Sequence, residues 1–361
     1  MNILFDIAHP AHVHLLRNSY FELIKRGHKV SVTVKDIPSA ISLLEKYQIP
    51  YIHLGSKNDT LIGKILMQFN YNLKVWWLVI SKKIEIGFGS SLTLPHISKI
   101  TGMHSIILDD DDDDSEPLFV KYGHPYADVV LSPASVKRAS KKGIAYNGYH
   151  ELAYLHPNRF TPDPTVLSEI GLKEGDIYFV LRFNAFKAHH DAGVEGLSIE
   201  NKRRLIAYLE DKGKVFITTE RNIDTEFVKY QLKLSPEKVH SLIYYASMLI
   251  GDSQTMTSEA AVLGTPALKC NSFAGKLSVP NELENKYKLC YSFLPQQSND
   301  FFAKIDELLN NVNTSSIFKE NRKKMLADKV DVTAFFVWFI ENYPVSARIM
   351  RENPEYVIPN N

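Results

Sequence analysis

Three histidines, His9, His12 and His14, stand within six residues of one another in "DIAHPAHVHLLRN". The spacing suggests a metal site, but geometry opposes it. The apolar period predicts a helix over 12–26, and on a helix His12 and His14 lie about 200° apart and cannot converge on one ion. Helical metal sites use i, i+3 or i, i+4 pairs. His14 reads as a hydrogen-bonded structural residue. His9 and His12 differ by position. They occupy the loop and first helical turn after a strand, where open backbone N–H groups and the positive dipole end favour an anion. An imidazole there can donate to phosphate or serve as general base.

A second candidate is the run of six aspartates at 109–114, directly after the buried-looking strand "HSIIL". Such a run is usually a solvated loop. Its leading members, however, sit where a strand end positions loop residues best. Close carboxylates raise one another's proton affinity, which makes Asp110 or Asp111 a candidate acid or base near neutral pH. Carboxylates also suit Mg²⁺, so a divalent ion on the run is a further reading.

The second half holds two more clusters. In "LIGDSQTMTSEAAVLGTPAL" a strand ends at Gly251, and Asp252, Ser253, Gln254 and Thr255 lead into a helix that carries Glu259 and stops at Gly264. Hydroxyls and open N–H groups at that helix start suit a pyrophosphate. Glu259, about one turn in, can accept hydrogen bonds from ribose hydroxyls. The plainer reading is a capped helix with a solvated glutamate. In "LRFNAFKAHHD" the cations Arg182 and Lys187 and the imidazoles His189 and His190 cluster after another strand. They could neutralise phosphate, or form a surface loop of mixed charge.

The elements that must position these residues alternate. "ILFDI" (3–7), "VSVTV" (30–34), "IEIGFGS", "HSIIL" and "ADVVLSP" read as strands with helical patterns between them, which predicts a parallel sheet covered by helices. The second half repeats the plan with "IYFVLRF" (177–183), "KVFITTE" (214–220), "ASMLIGDS" (246–253) and "PALKC" (266–270) as strands, and helices over 198–213 and 255–264. The expected organisation is a Rossmann-like domain over 1–150, a linker or hinge over 151–164 and a second Rossmann-like domain over 165–330. A closing helix over 331–361 is expected to pack back toward the first domain. Two parallel sheets facing a central cleft would present the residues that follow each strand.

Composition sets the outer bounds. The chain has 361 residues, enough for two domains, and a formal net charge of +1, which gives no overall field for nucleic acid. Its two cysteines, Cys270 and Cys290, fit a reducing compartment better than a disulfide scaffold. Met1 runs straight into an apolar strand containing Asp6, which does not read as a signal peptide. The expected location is cytoplasmic. Segment 60–83 places Ile62, Ile65, Leu66, Phe69, Leu73, Trp76, Trp77 and Ile80 at helical spacing among four lysines. It reads as a core-packing helix, or as an interfacial helix making peripheral contact with the inner face of a membrane.

Four stretches taken together resemble a prokaryotic domain-of-unknown-function family of GT-B glycosyltransferase-like proteins: "DIAHPAHVHLLRN…ELIKRGHKV", "NGYHELAYLHPNRFTPDP", "LRFNAFKAHHD" and "HSLIYYASMLIGDSQTMTSEAAVLGTPAL". "PAHV" is distantly similar to the turn of the N-acetylglucosaminyltransferase that completes the peptidoglycan lipid precursor. "TSEAAVLGTPA" is similar to that enzyme's donor-site helix. The glycine-rich turns of that enzyme are replaced here by "HPAH" and "LRFNAFK". The resemblance implies an α/β, GT-B-like fold and transfer of a sugar from a nucleotide-sugar, UDP-linked, to a glycan or lipid-linked acceptor in surface polysaccharide synthesis. It places His12 on the acceptor side, Glu259 on the ribose, and Ser253, Gln254 and Thr255 near the pyrophosphate. No cofactor is expected, the nucleotide-sugar being a substrate and Mg²⁺ not essential. UDP-N-acetylglucosamine 2-epimerases share the two-domain plan, and there an acidic residue after an N-domain strand moves protons. "IILDDDDDDSEP" falls in a similar place. The alternatives are therefore such an epimerase or a non-catalytic nucleotide-sugar binding protein.

Overall fold

The computed structural model describes residues 1–56, 60–183, 195–219 and 223–356, with backbone alone at Leu61, Ile62 and Lys64. Contacts divide the chain into two compact units. Unit 1 holds residues 1–159 and 329–361, and unit 2 holds residues 160–328.

Unit 1 is built on seven parallel strands: β1 (Asn2–Ile7), β2 (Lys29–Val34), β3 (Ile52–His53), β4 (Ile86–Gly89), β5 (His104–Leu108), β6 (Val129–Pro133) and β7 (Gly143–Tyr146). They lie in the order β3-β2-β1-β4-β5-β6-β7. The inner strands β1, β4, β5 and β6 are almost wholly buried, as parallel strands covered on both faces must be, while the edge strand β3 is exposed. The chain direction across the sheet reverses between β1 and β4. In doubly wound sheets the crevice for ligands opens at that switch point, beyond the carboxyl ends of the strands. Gly89 closes β4 at φ +147, and an added Cβ would lie 2.7 Å from the Asp6 carbonyl oxygen on β1. Only glycine lets the two strands approach so closely there.

The first helix, Pro10–Lys25, starts two residues before the spacing predicts, because Pro10 with its preset φ opens it. Segment 151–164 was expected to be a linker, and part of it is core. Leu152–Leu155 form a short helix and are fully buried in unit 1. The helix Val332–Glu341 also belongs to unit 1. Its Phe336 ring packs on Phe88 at 5.2 Å, and its Phe335 ring stacks on Tyr146 at 5.1 Å. Arg159 ties its start, with Nε donating to Asp331 Oδ2 at 2.7 Å.

Unit 2 carries five parallel strands: β8 (Tyr178–Arg182), β9 (Lys214–Thr218), β10 (Met248–Gly251), β11 (Ala267–Cys270) and β12 (Cys290–Phe293). Their order is β12-β11-β10-β8-β9, with the switch between β8 and β10. Gly251 pairs with Arg182 across that switch. A Cβ at Gly251 would lie 2.0 Å from the Arg182 carbonyl oxygen. Both switch points therefore rest on a glycine pressed against the neighbouring backbone. The two short strands β3 and β7, and β12, have no counterpart in the sequence reading.

Candidate functional site

Unit 1 gathers its chemistry at the carboxyl edge of its sheet. His9 is the N-cap of the first helix, and its Nδ1 accepts the Ala11 N–H at 3.2 Å. His12 Nδ1 accepts the Ala8 N–H at 3.3 Å. The two rings lie 6.0 Å apart. Each ring therefore satisfies the local backbone first. Burial, followed by the nearby His9 and His150, pushes His12 down to about 3. It is neutral at physiological pH. Because Nδ1 accepts, its proton sits on Nε2, and His12 is built to donate a hydrogen bond. His14 is buried between Tyr47 and Tyr154, a packing role.

The aspartate run is folded around a cation that the sequence reading did not single out. Arg138 donates from Nη1 to Asp109 Oδ2 at 2.8 Å and to Asp113 Oδ1 at 2.5 Å. Its Nη2 donates to the carbonyl oxygens of Asp109 and Asp111 at 2.9 and 2.8 Å. His124 Nε2 adds a 2.8 Å bond to Asp109. The guanidinium thus occupies the place where a cation would lie in a carboxylate cup. Among the described residues, no group of three His, Cys, Asp or Glu side chains is arranged to hold a metal ion.

Asp109 is spent on this scaffold, and Asp110 is not. Asp110 Oδ1 sits 3.1 Å from His150 Nδ1, and its side chain keeps 40% of its surface exposed. Burial pushes Asp110 up, but the charge and hydrogen bond of His150 outweigh it and hold the carboxyl below its ordinary range. Reciprocally, His150 is pulled above its ordinary value despite burial, chiefly by Asp110. Asp111 moves the other way. Burial, then the charges of Asp110 and Asp109, push it up to about 7. Adjacent carboxylates are thereby split into one that stays ionised and one that exchanges its proton near neutrality. Environments of this kind separate acid from base roles.

His150 follows β7, and nothing about "NGYHE" marked it for chemistry in sequence. Tyr146 stacks beside it at 10° between planes. Tyr146 Oη, His150 Nε2 and, after β4, Ser91 Oγ are buried and meet no hydrogen-bond partner among the described residues. The phenol's proton is held well above its ordinary value by burial and by Asp110. The Phe336 ring closes the back of His150 at 6.5 Å.

Unit 2 arranges the predicted donor residues around its own switch point. Ser253 caps the helix Gln254–Leu263, its hydroxyl accepting the Met256 N–H at 3.4 Å. The Asp252 N–H donates to the Arg182 carbonyl at 3.0 Å, and its own carbonyl accepts from Asn271 Nδ2 at 2.9 Å. Thr255 is exposed in the first turn. Gln254 Oε1 accepts from Lys269, a fully buried lysine that burial pushes down to about 8. Glu259 is not solvated. It is buried and receives a 3.0 Å hydrogen bond from the equally buried His240 Nε2. Lys269 comes in from the neighbouring strand β11, and His240 from the helix before β10 (Val239–Tyr245), which packs on the helix that follows β10. Lys187, His189 and His190 lie outside the described residues.

Both cysteines are free and buried on neighbouring strands. No helix among the described residues is long and apolar enough to cross a membrane.

Residues 1–343 match the family described as protein of unknown function DUF354. An uncharacterized protein of Methanocaldococcus jannaschii is 20% identical over 290 residues, covering 75% of this chain and 82% of that protein. Among solved structures, the spinosyn forosaminyltransferase SpnP superposes with a TM-score of 0.66 at 14% identity. That match covers 96% of this chain and 99% of the other. The UDP-GlcNAc 2-epimerase of Neisseria meningitidis bound to UDP-GlcNAc superposes with a TM-score of 0.64 at 11% identity, over 94% and 100%. At these identities the likeness is one of fold, and it is that of GT-B glycosyltransferases and the epimerases.

Proposed function

The chain belongs to the DUF354 family and has a GT-B-like α/β fold, and on that premise we propose that it is a glycosyltransferase. In this reading unit 2 binds a nucleotide-sugar, UDP-linked, and unit 1 takes a glycan or lipid-linked acceptor in cytoplasmic surface-polysaccharide synthesis. The observation that carries the reading is the Asp110–His150 pair, a carboxylate kept ionised and partly exposed at the carboxyl edge of the unit 1 sheet.

Asp110 is the base that takes the proton from an acceptor hydroxyl. The freed oxygen pair forms the bond to the anomeric carbon as the bond from that carbon to the phosphate oxygen breaks. The nucleoside diphosphate leaves with those electrons. Charge gathering on the pyrophosphate is met by the open N–H groups and hydroxyls at Ser253 and Thr255, with Arg182, Lys187 and His189 as further donors. Glu259 accepts from the ribose hydroxyls while His240 fixes its orientation. His9 and His12 contact the acceptor, and His12 donates from Nε2. Asp111 serves as the site's exchangeable acid. His150 is a positioning residue that aims Asp110 and keeps it charged.

The test is thermal unfolding of the purified protein with UDP, other nucleoside diphosphates and their sugars, repeated on Glu259→Gln. Stabilisation by uridine nucleotides that is lost in the variant is the expected result. Absence of stabilisation by any nucleotide would falsify the donor assignment. Incubation of UDP-N-acetylhexosamines in D₂O without acceptor adds a second readout. Deuterium appearing at C2 would replace transfer with epimerisation. Binding with neither transfer nor exchange would leave a nucleotide-sugar binding protein.

A further inference from the structure

The helix Leu61–Lys82 carries two apolar faces, and one of them is turned away from the core. Its inner face is ordinary: Tyr71, Val75, Leu78 and Val79 are buried in the core cluster of unit 1. Its outer face carries the aromatic rings of Phe69, Trp76 and Trp77. Between them lie the aliphatic side chains of Ile65, Leu66, Leu73 and Ile80. All seven are between 41% and 66% exposed. At 100° per residue they fall within an arc of about 120°, and residues 65 to 80 extend it over about 22 Å of helix. A stripe of that length and purity exceeds the scattered apolar residues of an ordinary surface.

Charge identifies what covers the stripe. Segment 60–83 contains Lys64, Lys74, Lys82 and Lys83 and no Asp or Glu. Lys74, Lys82 and Lys83 are exposed. An exposed apolar arc on a helix whose only charged side chains are lysines is complementary to an anionic bilayer surface, where the arc enters the headgroup and acyl boundary and the exposed lysines meet lipid phosphates. Tryptophan is the side chain best suited to that boundary, and two of the chain's three stand together on the arc. A second copy of the chain would place the lysines of one stripe against those of the other, since a twofold contact juxtaposes the same patch.

We propose that the helix Leu61–Lys82 docks unit 1, lying flat, on an anionic phospholipid membrane. The proposal does not depend on the enzymatic reading and survives its failure.

The experiment is co-sedimentation of the full chain with vesicles of phosphatidylcholine, with and without phosphatidylglycerol, followed also by tryptophan emission. Binding to the anionic vesicles, weakened by salt and accompanied by a blue shift, is the expected result. Phe69→Ser with Trp77→Ser should weaken it about tenfold or more, since exposed apolar area drives insertion. Lys82→Glu with Lys83→Glu should remove the preference for the anionic lipid. All four positions are exposed, so the variants should keep the wild-type melting temperature, and that measurement separates lost docking from lost folding. No sedimentation with anionic vesicles at low salt overturns the proposal. So does a dimer in light scattering that the Phe69/Trp77 variant dissociates while vesicle binding is absent.

Discussion

Asp110 has two opposing environments acting on one carboxyl, and their balance depends on a single neighbour. Burial favours the neutral acid, and His150 favours the anion. Removing His150 therefore has a signed consequence. In His150→Phe the ring volume is kept, Asp110 loses its cation, and its proton affinity rises. Activity that needs ionised Asp110 then fails at higher pH, so the acid limb of the kcat/KM profile should move upward in pH. At neutral pH the loss is expected to be about tenfold or more, against about 10²–10⁴-fold for Asp110→Asn, which removes the base outright. A profile that falls uniformly without moving its acid limb would make His150 merely structural. The three histidines at the N-terminus illustrate how much of this was legible. Spacing alone argued against a metal shared by His12 and His14 and put His9 and His12 at the helix start. It could not tell that His12 Nδ1 would be occupied by the Ala8 N–H. That contact turns a candidate base into a donor.

At the scale of elements, the aspartate loop depends on Arg138. Six like charges in series are unfavourable, and the chain resolves this by folding their leading part around one guanidinium that is only 6% exposed. Truncating it strands Asp109 and Asp113 without their cation. Arg138→Ala should cost about 3–5 kcal/mol, read as a lower denaturant midpoint with an unchanged slope. A variant within about 0.5 kcal/mol of the parent would show that water replaces the guanidinium. The loop's position after β5 was legible in sequence, from an apolar strand running into polar residues. Its partner was not, because Arg138 lies beyond the next strand and no local pattern links the two. The same holds for Glu259. It reads as a solvated helix residue until the packing of the helix before β10 places His240 against it.

Across the molecule, the two cysteines were expected in a reducing compartment and lie buried on adjacent parallel strands. Burial pushes the Cys270 thiol up to about 11 and Cys290 up to about 12, so neither is a thiolate at neutral pH. Neither should react with an aromatic disulfide reagent in the native state, and both should react at the rate at which denaturant opens unit 2. Fast labelling without denaturant would show that the β11–β12 edge opens locally. The alternation of short apolar strands with helical periods determined the fold class by itself, because buried parallel strands and amphipathic helices write their burial directly into residue order. The glycines and polar turns that end the strands likewise showed where chemistry was to be sought. The tertiary structure alone decided which strand lies beside which, and so which distant groups meet: Asp110 with His150, Asp109 with Arg138, Glu259 with His240. Those contacts join residues 19 to 40 positions apart through the packing of strands and helices, and that packing is set by how whole faces meet, which no local stretch of sequence records.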